Sequence, residues 1–162
     1  MMKIVFYKLM QWGLGLLFLA TATGKLLDNR GFAEVLRTYD LFPPGSLLTL
    51  GLILSLTELW LAFQLLGNRT AAVGAAGALA VNAMYTGLAV ITNVRGLKLP
   101  NCGCFGVFLA RPMTWSTVTE DASLTLMTAG FLSMAWRLRP GTARELEQLR
   151  EPKADASLKK TG

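Results

Sequence analysis

Two cysteines separated by a single glycine, Cys102-Gly103-Cys104, are the residues of this chain best suited to chemistry. They are its only cysteines, and they stand in the polar run Asn101-Cys102-Gly103-Cys104-Phe105-Gly106 between two long apolar segments. Oxidised, a Cys-x-Cys pair closes a very small ring, and disulfide geometry is demanding enough to leave such a ring strained. Strained, accessible disulfides are labile and oxidising, which suits thiol–disulfide exchange better than stapling a fold. Gly103 assists by taking backbone angles closed to other residues. Two further readings stay open: a local disulfide that only shapes the loop, and a pair of thiolate ligands for a soft metal ion. Against the metal reading, no apolar segment contains a cysteine, so a metal would find no onward thiolate through a membrane. Histidine is absent, which excludes histidine-ligated haem, zinc and copper and any Ser-His-Asp machinery.

The elements that must carry this loop read as membrane spans. Over 162 residues the hydrophobic fraction is 52%, the charged fraction 16% and the mean hydropathy +0.43. Four stretches nearly free of charge follow one another: residues 9–24, 41–68 with Glu58 the only charge, 70–94 with none, and 122–136. A span needs about 20 mostly apolar residues. The middle two satisfy this. The first needs its flanks, Lys8 and Lys25, to snorkel. The last needs an earlier start near Thr117, where Thr117-x-x-Glu120 reads as a capping box with Glu120 and Asp121 in the first turn. The expectation is an all-α membrane protein, a four-helix transmembrane bundle with spans at about 5–27, 44–67, 70–94 and 117–137. The cysteine loop falls within 95–116, and a charged tail covers 138–162, where residues 144–150 read as a short surface helix. No segment reads as a separate soluble domain.

Cation placement orients the bundle. With four spans, the N-terminus, the 67–70 turn and the C-tail share one side, which carries ten Lys and Arg against six on the other. The positive-inside rule then sets both termini in the cytoplasm and the cysteine loop outside it. In a bacterium this is a multi-pass inner (plasma) membrane protein with a periplasmic loop, in a compartment that permits disulfide chemistry. Lys3, Lys8 and the run Ala20-Thr21-Ala22 also match a signal peptide. A retained first helix is simpler, because three helices make a poor bundle. The net charge of +6 reads as attraction to anionic lipid, not as nucleic-acid binding.

Within the spans, small residues such as Gly74/Ala78 and Ala83/Gly87 have the spacing that lets helices approach closely in lipid. Trp12, Trp115 and Trp136 lie near segment ends and read as interface anchors. Pro43 and Pro44 suit the first turn of the second span. Glu58 sits near mid-membrane, where an ionisable residue is expensive and suggests function. Asn82 lies at similar depth and is its expected partner, whether as packing glue or in proton-linked chemistry. Lys25 and Asp28, with Glu120 and Asp121, fall at the outer ends of their helices, around the cysteine loop. Lys25 either lowers a thiol pKa there or snorkels, the second being preferred.

Taken in order, Thr23-Gly24-Lys25-Leu26 with Asp28, Tyr39-Asp40-Leu41-Phe42-Pro43, Glu58, and Cys102-Gly103-Cys104-Phe105-Gly106 resemble the MauE family of the broader DoxX-like group. The likeness covers roughly residues 23–125, and the Cys-Gly-Cys-Phe-Gly loop, with Phe105 and Gly106, is its most specific part. The resemblance implies a four-helix membrane protein of disulfide metabolism. Its expected role is maturation or export of the disulfide-rich small subunit of methylamine dehydrogenase, beside a thioredoxin-like partner. The charged tail has no counterpart in that likeness. With only two cysteines, the chain cannot hand electrons to a second dithiol of its own. The pair must exchange with a partner protein, here a periplasmic thioredoxin-like one, or meet a small redox molecule such as a quinone in the bundle; no other cofactor is evident. The alternatives are a soft-metal carrier and a non-catalytic assembly subunit of a membrane oxidoreductase.

Overall fold

The computed structural model describes residues 2–137, and all of its regular elements are helices. The tail and its expected surface helix at 144–150 lie outside the described residues. No proline interrupts residues 2–27, and they form one helix, α1 (Met2–Leu27). The connection between the first two spans, unassigned from sequence, holds a nine-residue helix, α2 (Asn29–Arg37). Asp28 starts it: its carboxylate accepts from the Gly31 N–H at 2.8 Å, satisfying a donor left free at a helix N-terminus. Phe32, Ala33 and Leu36 give α2 one buried face, while Arg30, Glu34 and Arg37 stay on its outer side. Pro43 and Pro44 then lead a single 3-10 turn, Pro44–Ser46, directly into α3 (Leu47–Leu66).

A tight turn reverses the chain into α4 (Ala71–Val94), with the Thr70 hydroxyl donating to the Gln64 carbonyl at 2.9 Å. Gly74 permits this hairpin to close, because a Cβ there would lie 2.7 Å from the Leu65 nitrogen. Ala71, Ala75 and Ala78 continue the same buried face. The Ala83/Gly87 pair does not serve this purpose: Ala83 is exposed and nothing lies within 4 Å of a Cβ at Gly87.

The last helix, α5 (Trp115–Arg137), starts two residues before Thr117. The expected capping box does not form. The Thr117 hydroxyl is buried and donates to the Pro112 carbonyl at 3.0 Å, while Glu120 turns outward to Arg111. Helix α1 packs mainly on α3, and α4 on α5 and α3. Leu14, Phe18, Leu61, Leu65 and Phe131 form a core between the helices. Two hydrogen bonds tie α4 to α5 deeper in the bundle, Asn82 to Thr128 at 3.0 Å and Thr86 with Thr125 at 2.9 Å.

Large apolar side chains point outward around the bundle, among them Leu16, Ile53, Phe63, Ile91 and Leu126. Such a surface suits lipid, not water. Three stretches are long and apolar enough to cross a membrane: Val5–Leu27, Pro44–Leu66 and Ala71–Val94. Helix α5 has a span's length, but Glu120, Asp121 and several Ser and Thr lower its hydropathy, and it is not among the three.

Candidate functional site

The cysteine loop is built by its own polar residues. Asn101 spans it, donating from Nδ2 to the Gly106 carbonyl at 2.9 Å and accepting the Gly103 N–H at Oδ1 at 2.9 Å. The Gly106 N–H closes a turn onto the Gly103 carbonyl at 3.0 Å. Both glycines have positive φ, +77° and +67°, which side chains rarely adopt. Backbone bonds from Cys102 N–H to Arg111 and from Met113 N–H to Leu99 clamp the two ends of the loop together.

Two contacts press this loop onto the bundle. At Gly24 in α1 an added Cβ would lie 2.6 Å from the Phe105 carbonyl oxygen, and at Gly106 one would lie 2.6 Å from the Gly24 oxygen. Backbone therefore rides on backbone at Gly24, Phe105 and Gly106, the close approach that glycine allows. From the other side, the Tyr39 hydroxyl donates to the Cys102 carbonyl at 2.6 Å. Tyr39 is nearly fully buried, and burial together with the neighbouring sulfurs pushes its phenol above the ordinary range.

The two sulfurs face each other 3.2 Å apart, unbonded and half-buried. Either thiol can donate to the other, and the environment favours one arrangement. The hydrogen bond from Cys104 holds the Cys102 thiol down at about 6, against the opposing effect of burial and with smaller help from Arg111. The same bond, and then burial, push Cys104 well above the usual thiol range. Cys104 is also the more deeply buried of the two. The pair thus sets a thiol of lowered pKa beside one of raised pKa.

Beneath the pair lies a buried polar cluster. Lys25 Nζ meets Glu58 Oε1 at 2.5 Å, the Tyr85 hydroxyl donates to the same oxygen at 2.5 Å, and Lys25 reaches the Tyr85 oxygen at 3.2 Å. This corrects two expectations. Lys25 does not snorkel but is 1% exposed, because position 25 faces α3, on which α1 mainly packs. Glu58 does not bond Asn82, whose side chain faces α5 and Thr128 instead. The other Glu58 oxygen, Oε2, is buried without a hydrogen-bond partner among the described residues.

Two cavities flank the sulfurs. A smaller one of about 100 Å³ reaches Glu58, Asn82, Phe105 and, at its mouth, Glu120 paired with Arg111 at 2.8 Å. A larger one of about 230 Å³ is bounded mostly by apolar side chains of α2, α3 and α4. Cys102, Cys104, Tyr85 and Asp121 line both. Lys25, Glu58, Glu120 and Asp121 are therefore gathered around the cysteines, whereas Asp28 serves as a helix cap. Among the described residues no three His, Cys, Asp or Glu side chains form a set fit to hold a metal ion.

Sequence reasoning passed over Tyr85 and Arg111, and gave Tyr39 no role. Tyr85 carried a signal, since a phenol inside an apolar span needs a partner and it falls one helical turn after Asn82. Arg111 was counted only as an outer cation.

A family model described as methylamine utilisation protein MauE matches residues 3–136. The methylamine utilization protein MauE of Paracoccus denitrificans is 30% identical over 114 residues, 70% of this chain and 61% of the relative. That of Paracoccus versutus is 30% identical over 151 residues, 90% of this chain and 81% of the relative. The match thus spans about three fifths of the first relative's length. No solved structure gives a significant match.

Proposed function

The chain belongs to the MauE family of methylamine utilisation proteins, and from that premise we propose that it exchanges disulfides through Cys102 and Cys104 with a thioredoxin-like partner. The substrate of that pathway is a disulfide-rich enzyme such as methylamine dehydrogenase, whose maturation the exchange supports. The observation that carries this reading is the 3.2 Å pairing of two unbonded sulfurs, in which Cys104 stabilises the Cys102 thiolate.

The exchange has two steps. Cys102, as thiolate, attacks a sulfur of the partner's disulfide. A bond forms between Cys102 and that sulfur, the partner's S–S bond breaks, and its second sulfur leaves as thiolate. Cys104 then attacks Cys102, closing the Cys102–Cys104 bond and expelling the first partner sulfur, while its proton passes to the departing dithiol. The reverse sequence reduces the pair and oxidises the partner. A thiol whose pKa lies near ambient pH is suited to the first attack, and a retained, deeper thiol to the second. The proposed setting is the bacterial inner membrane, with α5 as a fourth span, both termini cytoplasmic and the loop periplasmic.

Trapping tests the reading. In membranes, Cys104→Ser accumulates a covalent adduct with a periplasmic thioredoxin-like protein, which reductant releases. Cys102→Ser accumulates none, and neither does the double variant. Full activity in both single variants, without an adduct, makes the pair structural or incidental.

A further inference from the structure

We propose that the larger cavity beside the sulfurs holds the ring of a membrane quinone, which oxidises the Cys102–Cys104 dithiol. This rests on the exchange reading above and supplies its missing half, the destination of the electrons. The chain has two cysteines and therefore no second dithiol of its own.

Size and lining fit a substituted six-membered ring. A cavity of about 150 Å³ lined by Leu, Ile and Phe is enough to bind benzene, and this one is about 230 Å³. Phe32, Leu36, Leu50, Leu54 and Leu88 form its walls. A small number of polar groups converge on an otherwise apolar pocket, the usual composition of a small-molecule site. They are Lys25, Tyr85, Asp121 and the two sulfurs. Lys25 makes two hydrogen bonds, to Glu58 and Tyr85, and its ammonium lies 5.4 Å from the centre of the Phe32 ring, which leaves its third N–H without a hydrogen-bond partner among the described residues. A quinone carbonyl is a hydrogen-bond acceptor that such a buried cation would hold. Entry from lipid is available at the rim, where Phe42 and Met84 are 42% and 47% exposed on the apolar outside of the bundle.

The reaction balances without a further reactant. The Cys104 S–H bond breaks and its sulfur bonds to the Cys102 thiolate, releasing two electrons and one proton; the proton that Cys102 has already lost to solvent returns from solvent. The ring takes the two electrons and two protons, and its two C=O groups become two C–OH groups. Asp121 borders both sulfurs and both cavities, which places its carboxyl to pass protons between the thiols and the ring.

The test uses the full chain in detergent, reduced, desalted and mixed with decylubiquinone. The expected result is loss of two free thiols per quinone consumed, absent from the Cys102→Ser variant. Leu54→Trp and Leu36→Trp, which fill the cavity from different helices, slow quinone-dependent thiol loss at least tenfold. Each, combined with Cys104→Ser, still forms the adduct with the thioredoxin-like partner. If decylubiquinone fails to oxidise the pair, or if both Trp variants that fold react at the wild-type rate, the cavity assignment is overturned. Occupation by a lipid acyl chain, without thiol oxidation by quinone, overturns it equally. Adduct formation without quinone oxidation sinks this proposal alone. Quinone oxidation without any adduct sinks the exchange reading and leaves the cavity assignment standing.

Discussion

Lys25 and Glu58 meet across the α1–α3 interface with 2.5 Å between Nζ and Oε1, and each residue is only 1% exposed. Two opposite charges within helices apolar enough to cross a membrane are tolerable only together. Taking each from water is costly, and only the partner and the added hydrogen bond from Tyr85 offset that cost.

The pair therefore behaves as a unit. Removing one partner strands a buried charge, so Glu58→Leu or Lys25→Met is expected to destabilise the bundle by about 3–5 kcal/mol. Glu58→Gln, which still accepts from Lys25 and Tyr85, loses less. The double variant Lys25→Met with Glu58→Leu regains most of the stability. Thermal unfolding of the purified variants in detergent measures this. Additive losses in the double variant would contradict the pairing.

Cys102 should react as a thiolate at neutral pH. Its lowered pKa predicts an iodoacetamide labelling rate that climbs through a midpoint near pH 6 and levels off above it. Below that midpoint the rate falls about tenfold per pH unit, because the thiolate fraction does. Cys104→Ala removes the hydrogen bond that holds the value down. Its midpoint moves up toward the ordinary thiol value of about 8.5. Peptide mass spectrometry across a pH series reads both midpoints, and identical profiles would mean that Cys104 has no such influence.

The docking of the loop on α1 depends on two glycines. Gly106→Ala puts a Cβ at positive φ, costing about 1–2 kcal/mol, and drives it against the Gly24 oxygen. Gly24→Ala drives a Cβ against the Phe105 oxygen. Each is expected to lift the loop, expose Cys104 to alkylation and abolish exchange, while the α3–α4 hairpin stays folded. Cys104 labelling rates and helical circular dichroism together report this. Unchanged protection of Cys104 would show that the close contact is dispensable.

The number of spans is open to a direct experiment. If α5 crosses the membrane, reporter fusions after Arg69 and after Gly162 read the same side, and fusions near Arg37 and Lys98 read the other. If only three helices cross, the C-terminal fusion changes sides. A cysteine loop read on the cytoplasmic side would remove the oxidising compartment that the exchange reading requires.

The helical architecture, the apolar bundle and the cysteine pair were legible in the chain. Each is written in local pattern: long uncharged runs, glycines at turns and a Cys-Gly-Cys spacing. Helix α2 was missed because its nine residues are short, and its buried face exists only once α3 is there to receive it. The capping box failed because α5 starts at Trp115, which puts Thr117 inside the first turn instead of at the cap.

Partnership across helices is what sequence left undecided. Glu58 and Asn82 share a depth, and depth is readable by counting residues. Which face each presents to which neighbour depends on how the helices pack and rotate about their axes. Close packing of α1 on α3 gave Glu58 to Lys25, and close packing of α4 on α5 gave Asn82 to Thr128. Tyr39, Tyr85 and Asp121 come from separate elements and meet at the sulfurs only in the folded bundle. One local spacing, Cys102-Gly103-Cys104, determined that thiol chemistry was available. The tertiary structure decided which thiol is the more acidic and which charges and cavities stand beside it, because those depend on contacts between residues far apart in the chain.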